Sequence, residues 1–217
     1  MLDELAGATA MIFDCDGCLL DSMGAWYHVE NSLIEMSGET WSQAEIERMR
    51  AASMTEASRI FHEEHGVLAS TEAVTAFMRD TMWDYYTTSA TTKPGVSEFL
   101  AEAKSRQIPC CVVSSTAGRY LKAGLTCAGI YDAFDGIFST QEAEMSKQDP
   151  ELYRMALKSL GAEPEAAWGF DDSLYAIRVM KGIGMRTVGT HDDDSAGTMK
   201  QFRDEATLTV MSFEELL

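Results

Sequence analysis

From Lys93 to the C-terminus, short apolar runs of strand length alternate with amphipathic stretches of helix length, and this alternation restricts the chain more than any other feature. Lys93-Pro94-Gly95 opens the region as a break. Helices are expected over Val96–Gln107, Gly118–Ala128, Pro150–Leu160 and Ser173–Lys181, with a short tail helix over Phe213–Leu217. Between them lie expected strands at Ile108–Ser114, Gly136–Ser139, Ala166–Phe170, Arg186–Gly189 and Thr207–Val210. One further apolar run, Ala8–Phe13, ends at Asp14 and is followed by the turn residue Gly17. Strands separated by helices form a parallel sheet through right-handed crossovers, with both faces covered. The expected fold is therefore α/β, a Rossmann-like parallel sheet whose ligands bind outside the carboxyl ends of the strands.

A block from Ser22 to about Thr92 interrupts this pattern. Trp26, Val29, Leu33 and Met36 recur at helical spacing, and both Ser42-x-x-Glu45 and Ser53-x-x-Glu56 read as capping boxes. A further helix is expected over Thr71–Tyr86, with Phe77 and Met78 inward. No strand is expected here. A chain of 217 residues exceeds one average domain and falls short of two, which suits a core of residues 1–21 and 93–217 carrying a helical insertion at 22–92.

The formal charge of -18 excludes a broad basic surface, so neither nucleic acid nor an anionic membrane is an expected partner. Residues Met1 to Gly7 carry two acids and no base, and no apolar stretch approaches membrane length, so neither a secretory signal nor a membrane span is expected. Cys15, Cys18, Cys110, Cys111 and Cys127 are odd in number and mostly sit in apolar segments, which points to reduced thiols and a cytoplasmic setting. Cys15-x-x-Cys18 has no second pair to complete a zinc site. The run Asp192-Asp193-Asp194 reads as a solvated acidic loop. His62-Glu63-Glu64-His65 spaces its histidines three apart, so it is not a metalloprotease pair and reads as a surface pair at a helix end. Gly182-x-Gly184 precedes a strand, as a helix C-cap does.

The residues that carry chemistry stand at strand ends. In Phe13-Asp14-Cys15-Asp16-Gly17-Cys18-Leu19-Leu20-Asp21-Ser22, side chains at i and i+2 share one side of an extended segment, so Asp14 and Asp16 can face one crevice. Carboxylates brought together repel unless a cation, a proton or a substrate relation intervenes, and a hard divalent cation with oxygen ligands resolves the conflict. Ser114 closes the IPCCVVS run and is followed by Ser115 and Thr116 at a helix start, where free N–H groups favour an anion such as phosphate. Lys147 precedes Pro150 in a polar loop and can offer an ammonium to that anion. Asp171-Asp172 follows the strand AAWGF, a costly place for two acids without a cation.

In this order, Asp14, Asp16, Ser114, Lys147 and Asp171-Asp172 resemble the four motifs of the haloacid dehalogenase superfamily over nearly the whole chain. FDCDGCLLDS resembles its first motif, SKQDPELY its third and GFDDSLYAIRVMKGIGM its fourth. Gln148 departs from the proline usual after the lysine. The resemblance implies that the helical block is an inserted cap, and that the chain is a phosphatase of the subgroup containing β-phosphoglucomutase. It implies Asp14 as the nucleophile that forms an aspartyl-phosphate. Asp16 is then the general acid and base, which also sets the chain apart from dehalogenases lacking that second aspartate. Ser114, Ser115 and Lys147 hold the phosphoryl oxygens. Mg2+ is the implied cofactor, on the Asp14 carboxylate, the Asp16 carbonyl and Asp172, with Asp171 as a further or water-mediated ligand.

The implied partner is a small phosphorylated metabolite, with a monomer compatible and the oligomeric state open. A sugar phosphomutase is the alternative reading, and a non-catalytic binder on the same fold a more distant one. Trp26 and Met54 stand where the mutase carries cap histidine and arginine, which tilts the reading toward hydrolysis. Arg48, Arg50, Arg59 and Arg79 remain candidates for a distal anionic group.

Overall fold

The computed structural model describes residues 5, 7–50, 52, 54–190 and 197–217. The acidic run at 192–194 and the Ser53 capping box lie outside them. In chain order the elements are strand β1 (Ala10–Phe13) and helices α1 (Met23–Ser37), α2 (Gln43–Arg50), α3 (Met54–Arg59) and α4 (Thr71–Thr88). Then follow α5 (Val96–Ser105), β2 (Cys110–Ser114), α6 (Gly118–Cys127), β3 (Gly136–Ser139), α7 (Thr140–Ala143) and α8 (Pro150–Leu160). The chain ends with β4 (Ala167–Asp171), α9 (Leu174–Gly182), β5 (Arg186–Thr190), α10 (Met199–Glu205) and β6 (Leu208–Val210). The expected tail helix is a short 3-10 turn, Phe213–Leu216, opened by a capping box between Ser212 and Glu215.

All six strands are parallel, in the order β3-β2-β1-β4-β5-β6. The chain winds outward from β1 first one way and then the other, so the switch point falls between β1 and β4, where such sheets open a crevice at their carboxyl ends. Strands β1 and β2 begin two residues later than expected, and β4 and β6 one residue later. Pro109 has no N–H to give a ladder, and only its carbonyl joins the sheet, accepting from Met11 N at 3.0 Å. Gln107, just before it, sits at a positive φ of 58°.

Side chains alternate across β1, so its residues pack two different cores. Ala10 and Ile12 face a cluster built from α8, α9 and α10, including Leu152, Ala156, Ile177 and Phe202. Phe13 meets an aromatic group on the other side. Its ring stacks on Phe170 at 4.5 Å, and Phe99 and Phe213 close around both at 5.5 to 6.3 Å. Phe13 and Phe170 are the residues immediately before Asp14 and Asp171, so this packing fixes the strand ends that carry the acids.

The chain divides into two compact units, Met1–Ser22 with Tyr86–Leu217, and Met23–Tyr85. Among its described residues, every regular element of the second unit is a helix. Ser42 and Glu45 form the expected box: Ser42 N donates to Glu45 Oε2 at 2.7 Å and Glu45 N to Ser42 Oγ at 3.3 Å. On α1 the buried stripe runs through Val29, Glu30 and Leu33, leaving Met36 exposed. His65 is no loose surface residue: its ring stacks on Trp41 at 4.0 Å and its side chain is 12% exposed.

Candidate active site

The Asp14 carboxylate emerges where β1 ends, its backbone N donating to Phe170 O at 2.9 Å. That bond ties the first residue beyond β1 to the neighbouring strand β4. Directly after it the loop doubles back: Leu19 N and Leu20 N both donate to Cys15 O at 2.9 Å, and Gly17 N donates to Leu20 O at 3.0 Å. Gly17 takes a φ of 77°, a conformation that side-chain-bearing residues rarely adopt.

Asp14, Asp171 and Asp172 each bring a carboxylate oxygen within 4.8 Å of the others, and all three are buried. Lys147 lies inside the group. Its Nζ stands 2.6 Å from Asp14 Oδ1 and 2.8 Å from Asp171 Oδ2, with the lysine side chain only 5% exposed. The polar loop expected around Lys147 therefore delivers its one ammonium inward. Asp149 beyond it caps α8, accepting from Glu151 N at 2.9 Å, and Pro150 opens the first turn. With that cap the loop keeps a firm exit although Gln148 replaces the proline.

The charges do not balance within the group. Burial drives the Asp14 carboxyl well above its ordinary value, Lys147 opposes this, and Asp171 and Asp172 add to the rise. Asp171 is raised by burial against the same lysine. Burial and then the Asp171 charge push Asp172 up to about 7. Burial disfavours the Lys147 ammonium, yet Asp14 and Asp171 outweigh it and hold the lysine well above its ordinary value. Three buried carboxylates against one ammonium form an all-oxygen donor set with unmet negative charge, which suits a hard divalent cation.

The three acids differ in what else engages them. Both oxygens of Asp171 are occupied, Oδ2 by Lys147 and Oδ1 by Ser173 N at 2.9 Å. Asp172 has a longer contact, Ser173 Oγ donating to its Oδ1 at 3.3 Å.

Asp16 stands apart from this group. Tyr86 Oη donates to its Oδ1 at 2.6 Å and Thr116 Oγ1 to its Oδ2 at 2.7 Å. The like-charge crowd around Asp14 is thus made by Asp171 and Asp172, whereas the i and i+2 spacing pointed to Asp16. The chain already bends at Cys15, between the two acids, so the extended path on which that spacing depends ends at Asp14.

Ser114 closes β2 beside β1, is buried, and accepts from Thr116 N at 3.1 Å through its Oγ. Ser115 is exposed, its carbonyl accepting from Thr140 Oγ1 at 3.4 Å. Cys15 and Cys18 are buried free thiols, both raised well above their ordinary values by burial, with Asp16 or Asp14 adding to the effect, which makes them poor nucleophiles and metal ligands.

A family model described as haloacid dehalogenase-like hydrolase matches residues 11–190, which include every one of these side chains. The chain belongs to this family. Among haloacid dehalogenase-like relatives, the Bacillus subtilis protein YhcW is 28% identical over 184 residues, covering 82% of this chain and 81% of that protein. A phosphorylated carbohydrates phosphatase of Thermotoga maritima is 25% identical over 179 residues, covering 82% and 83%. The fold is shared with CbbY from Rhodobacter sphaeroides, solved in complex with phosphate, at a TM-score of 0.78, 23% identity and 96% coverage of both chains.

Sequence reasoning missed Tyr86. It lies at the end of a helix whose apolar pattern gave no reason to single out one tyrosine, 70 residues from its partner Asp16. Thr116 was visible as part of a hydroxyl cluster, but as a phosphate group rather than as a donor to Asp16.

Proposed function

We propose that this haloacid dehalogenase-like hydrolase is a magnesium-dependent phosphatase acting on a small phosphate monoester through an aspartyl-phosphate on Asp14. The observation that carries the reading is the buried Lys147 ammonium, held 2.6 Å from Asp14 and 2.8 Å from Asp171 beside a third carboxylate. A nucleophilic carboxylate and an anionic phosphoryl group repel one another, and a fixed ammonium between acids is the device that lets both enter one pocket.

In this reading an Asp14 oxygen attacks phosphorus while the bond to the leaving oxygen breaks, and Asp16 gives that oxygen its proton. Water then attacks phosphorus, Asp16 takes the proton back, and the Asp14–phosphorus bond breaks to release inorganic phosphate. Lys147, Ser114 and the exposed Ser115 bind the phosphoryl oxygens, supported by backbone N–H groups at the start of α6. The Asp14 and Asp172 carboxylates and the Asp16 carbonyl are the ligands for magnesium, with Asp171 acting mainly by holding Lys147 and the turn at Ser173. Bound magnesium supplies charge neutralisation for the carboxylates and the incoming phosphate. The unit Met23–Tyr85 is the cap, with the core on either side of it in sequence.

Three cap arginines once open to a distal anion are engaged by neighbouring acids: Arg48 with Glu64, Arg59 with Glu56 and Glu63, and Arg79 with Asp80. Arg50 lies outside the side chains described. This pairing supports hydrolysis of a monoester over a mutase that must grip a second phosphate. Five free thiols, four of them buried, support a cytoplasmic location.

Phosphate release from p-nitrophenyl phosphate, with magnesium or with EDTA, tests the reading. Turnover that needs magnesium, with hydroxylamine-sensitive labelling of the chain that Asp14→Asn abolishes, is the expected result. Metal-independent turnover, or labelling that survives Asp14→Asn, would overturn it.

A further inference from the structure

Tyr86 is the residue at which the chain re-enters the core unit, and its side chain is wholly buried. The ring is locked from several sides. Tyr120 lies 5.6 Å away at 55°, and α6 approaches so closely that a Cβ on Gly124 would come 2.7 Å from Tyr86 Cδ1. Only a glycine admits the ring there. Phenylalanine would fill the same volume without a polar atom to satisfy, so packing alone does not account for a tyrosine. Its hydroxyl ends on Asp16 Oδ1 at 2.6 Å, the length of a charge-assisted bond, while Thr116 Oγ1 meets the other oxygen at 2.7 Å. Burial, then the Asp16 charge, holds the phenol well above its ordinary value, so it stays a donor across the working range.

We propose that Tyr86 is a positioning residue for the phosphatase reaction, which together with Thr116 grips both oxygens of Asp16 and aims its proton at the leaving-group oxygen. The inference rests on the reading of Asp16 as general acid and base. A carboxylate on a short side chain can rotate about two bonds, and two donors from separate elements, the end of α4 and the start of the loop before α6, remove that freedom. Fixing the group in advance matters most where proton delivery limits the rate.

Leaving groups separate this role from a structural one. p-Nitrophenolate departs with little help from an acid, whereas unsubstituted phenolate, with the basicity of a tyrosine, depends on it. For Tyr86→Phe we expect kcat/KM on phenyl phosphate to fall on the order of tenfold, as for loss of one hydrogen bond to a charged group, with a much smaller fall on p-nitrophenyl phosphate. Thr116→Val should show the same ordering, and a thermal melt of each variant checks that the fold persists. Equal losses on the two substrates would assign Tyr86 a merely structural role and overturn the proposal, as would no loss on either. A wild type that uses p-nitrophenyl but not phenyl phosphate would overturn it too, because Asp16 then delivers no proton. No turnover of either ester by the wild type would instead remove the phosphatase reading itself, and this inference with it.

Discussion

Asp14 and Asp16 are two residues apart in one loop, yet the fold gives them opposite surroundings. Asp14 is buried among acids and balanced only in part by Lys147, while Asp16 is half-buried and gripped by two neutral hydroxyls. The first environment concentrates charge and requires cations. The second concentrates orientation and requires none. Chemistry that forms and then breaks a bond to Asp14, while moving a proton through Asp16, needs this division: one carboxylate must stay a nucleophile beside an anion, and the other must be free to gain and lose a proton.

The comparison breaks most completely at Asp14. Asp14→Asn keeps the shape and removes the proposed nucleophile, so turnover of any phosphate ester should fall to the uncatalysed background, with the melting temperature of the metal-free protein unchanged or raised because one buried charge has gone. Residual phosphatase activity above background would place the nucleophile elsewhere. Asp16→Asn should cost about 10² to 10⁴ in kcat/KM on phenyl phosphate, the usual contribution of a positioned acid, while leaving the stabilisation by magnesium in a thermal melt nearly intact. A variant at Asp16 that lost that stabilisation would show its side chain to be part of the cation group after all.

The alternation of strands and helices, the parallel sheet and the carboxylates at strand ends were legible in the sequence because each depends on local pattern: apolar runs, turn residues and polar residues directly after a strand. Lys147 was legible by its place between elements, though its burial was not. What escaped was contact between distant segments. Tyr86 meets Asp16 only because α6 carries a glycine at position 124 that lets the ring pass, and nothing near either residue records this. The acids grouped with Asp14, Asp171 and Asp172, come from the end of another strand, which no local spacing records.

A smaller effect sharpens the electrostatic half. Asp172 is pushed up to about 7 by burial and by Asp171, against a value of 3.8 without those surroundings. Because the folded value is the higher one, the unfolded chain ionises first, and this residue makes the metal-free protein lose stability as pH rises from about 4 to about 7, with no further loss above that. Magnesium prefers the ionised form, so its stabilising effect should grow through the same window. Melts at about pH 5 and about pH 8, in EDTA and in magnesium, should show both trends in the wild type and a weaker dependence in Asp172→Asn, where the raised Asp14 and Asp171 remain. An equal pH dependence in the variant would remove Asp172 from the cation group.

The orientational half can be perturbed without touching any group that reacts. Gly124→Ala places a methyl carbon 2.7 Å from Tyr86 Cδ1 and 3.0 Å from Leu20 Cδ1, closer than such contacts allow, so the ring must shift. Alanine also favours a helix interior over glycine by about 1 kcal/mol, which offsets part of the crowding and keeps the net change in stability small. The expected outcome is a near-wild-type melting temperature, an unaltered response to magnesium, and a few-fold loss of kcat/KM confined to phenyl phosphate. A ring displaced by a few tenths of an ångström slackens the grip on Asp16 but leaves Asp14, Lys147, Asp171 and Asp172 in place. Were magnesium stabilisation to fall in step with activity, the two carboxylates would have to be treated as one coupled site, and the separation between charge and orientation would not hold.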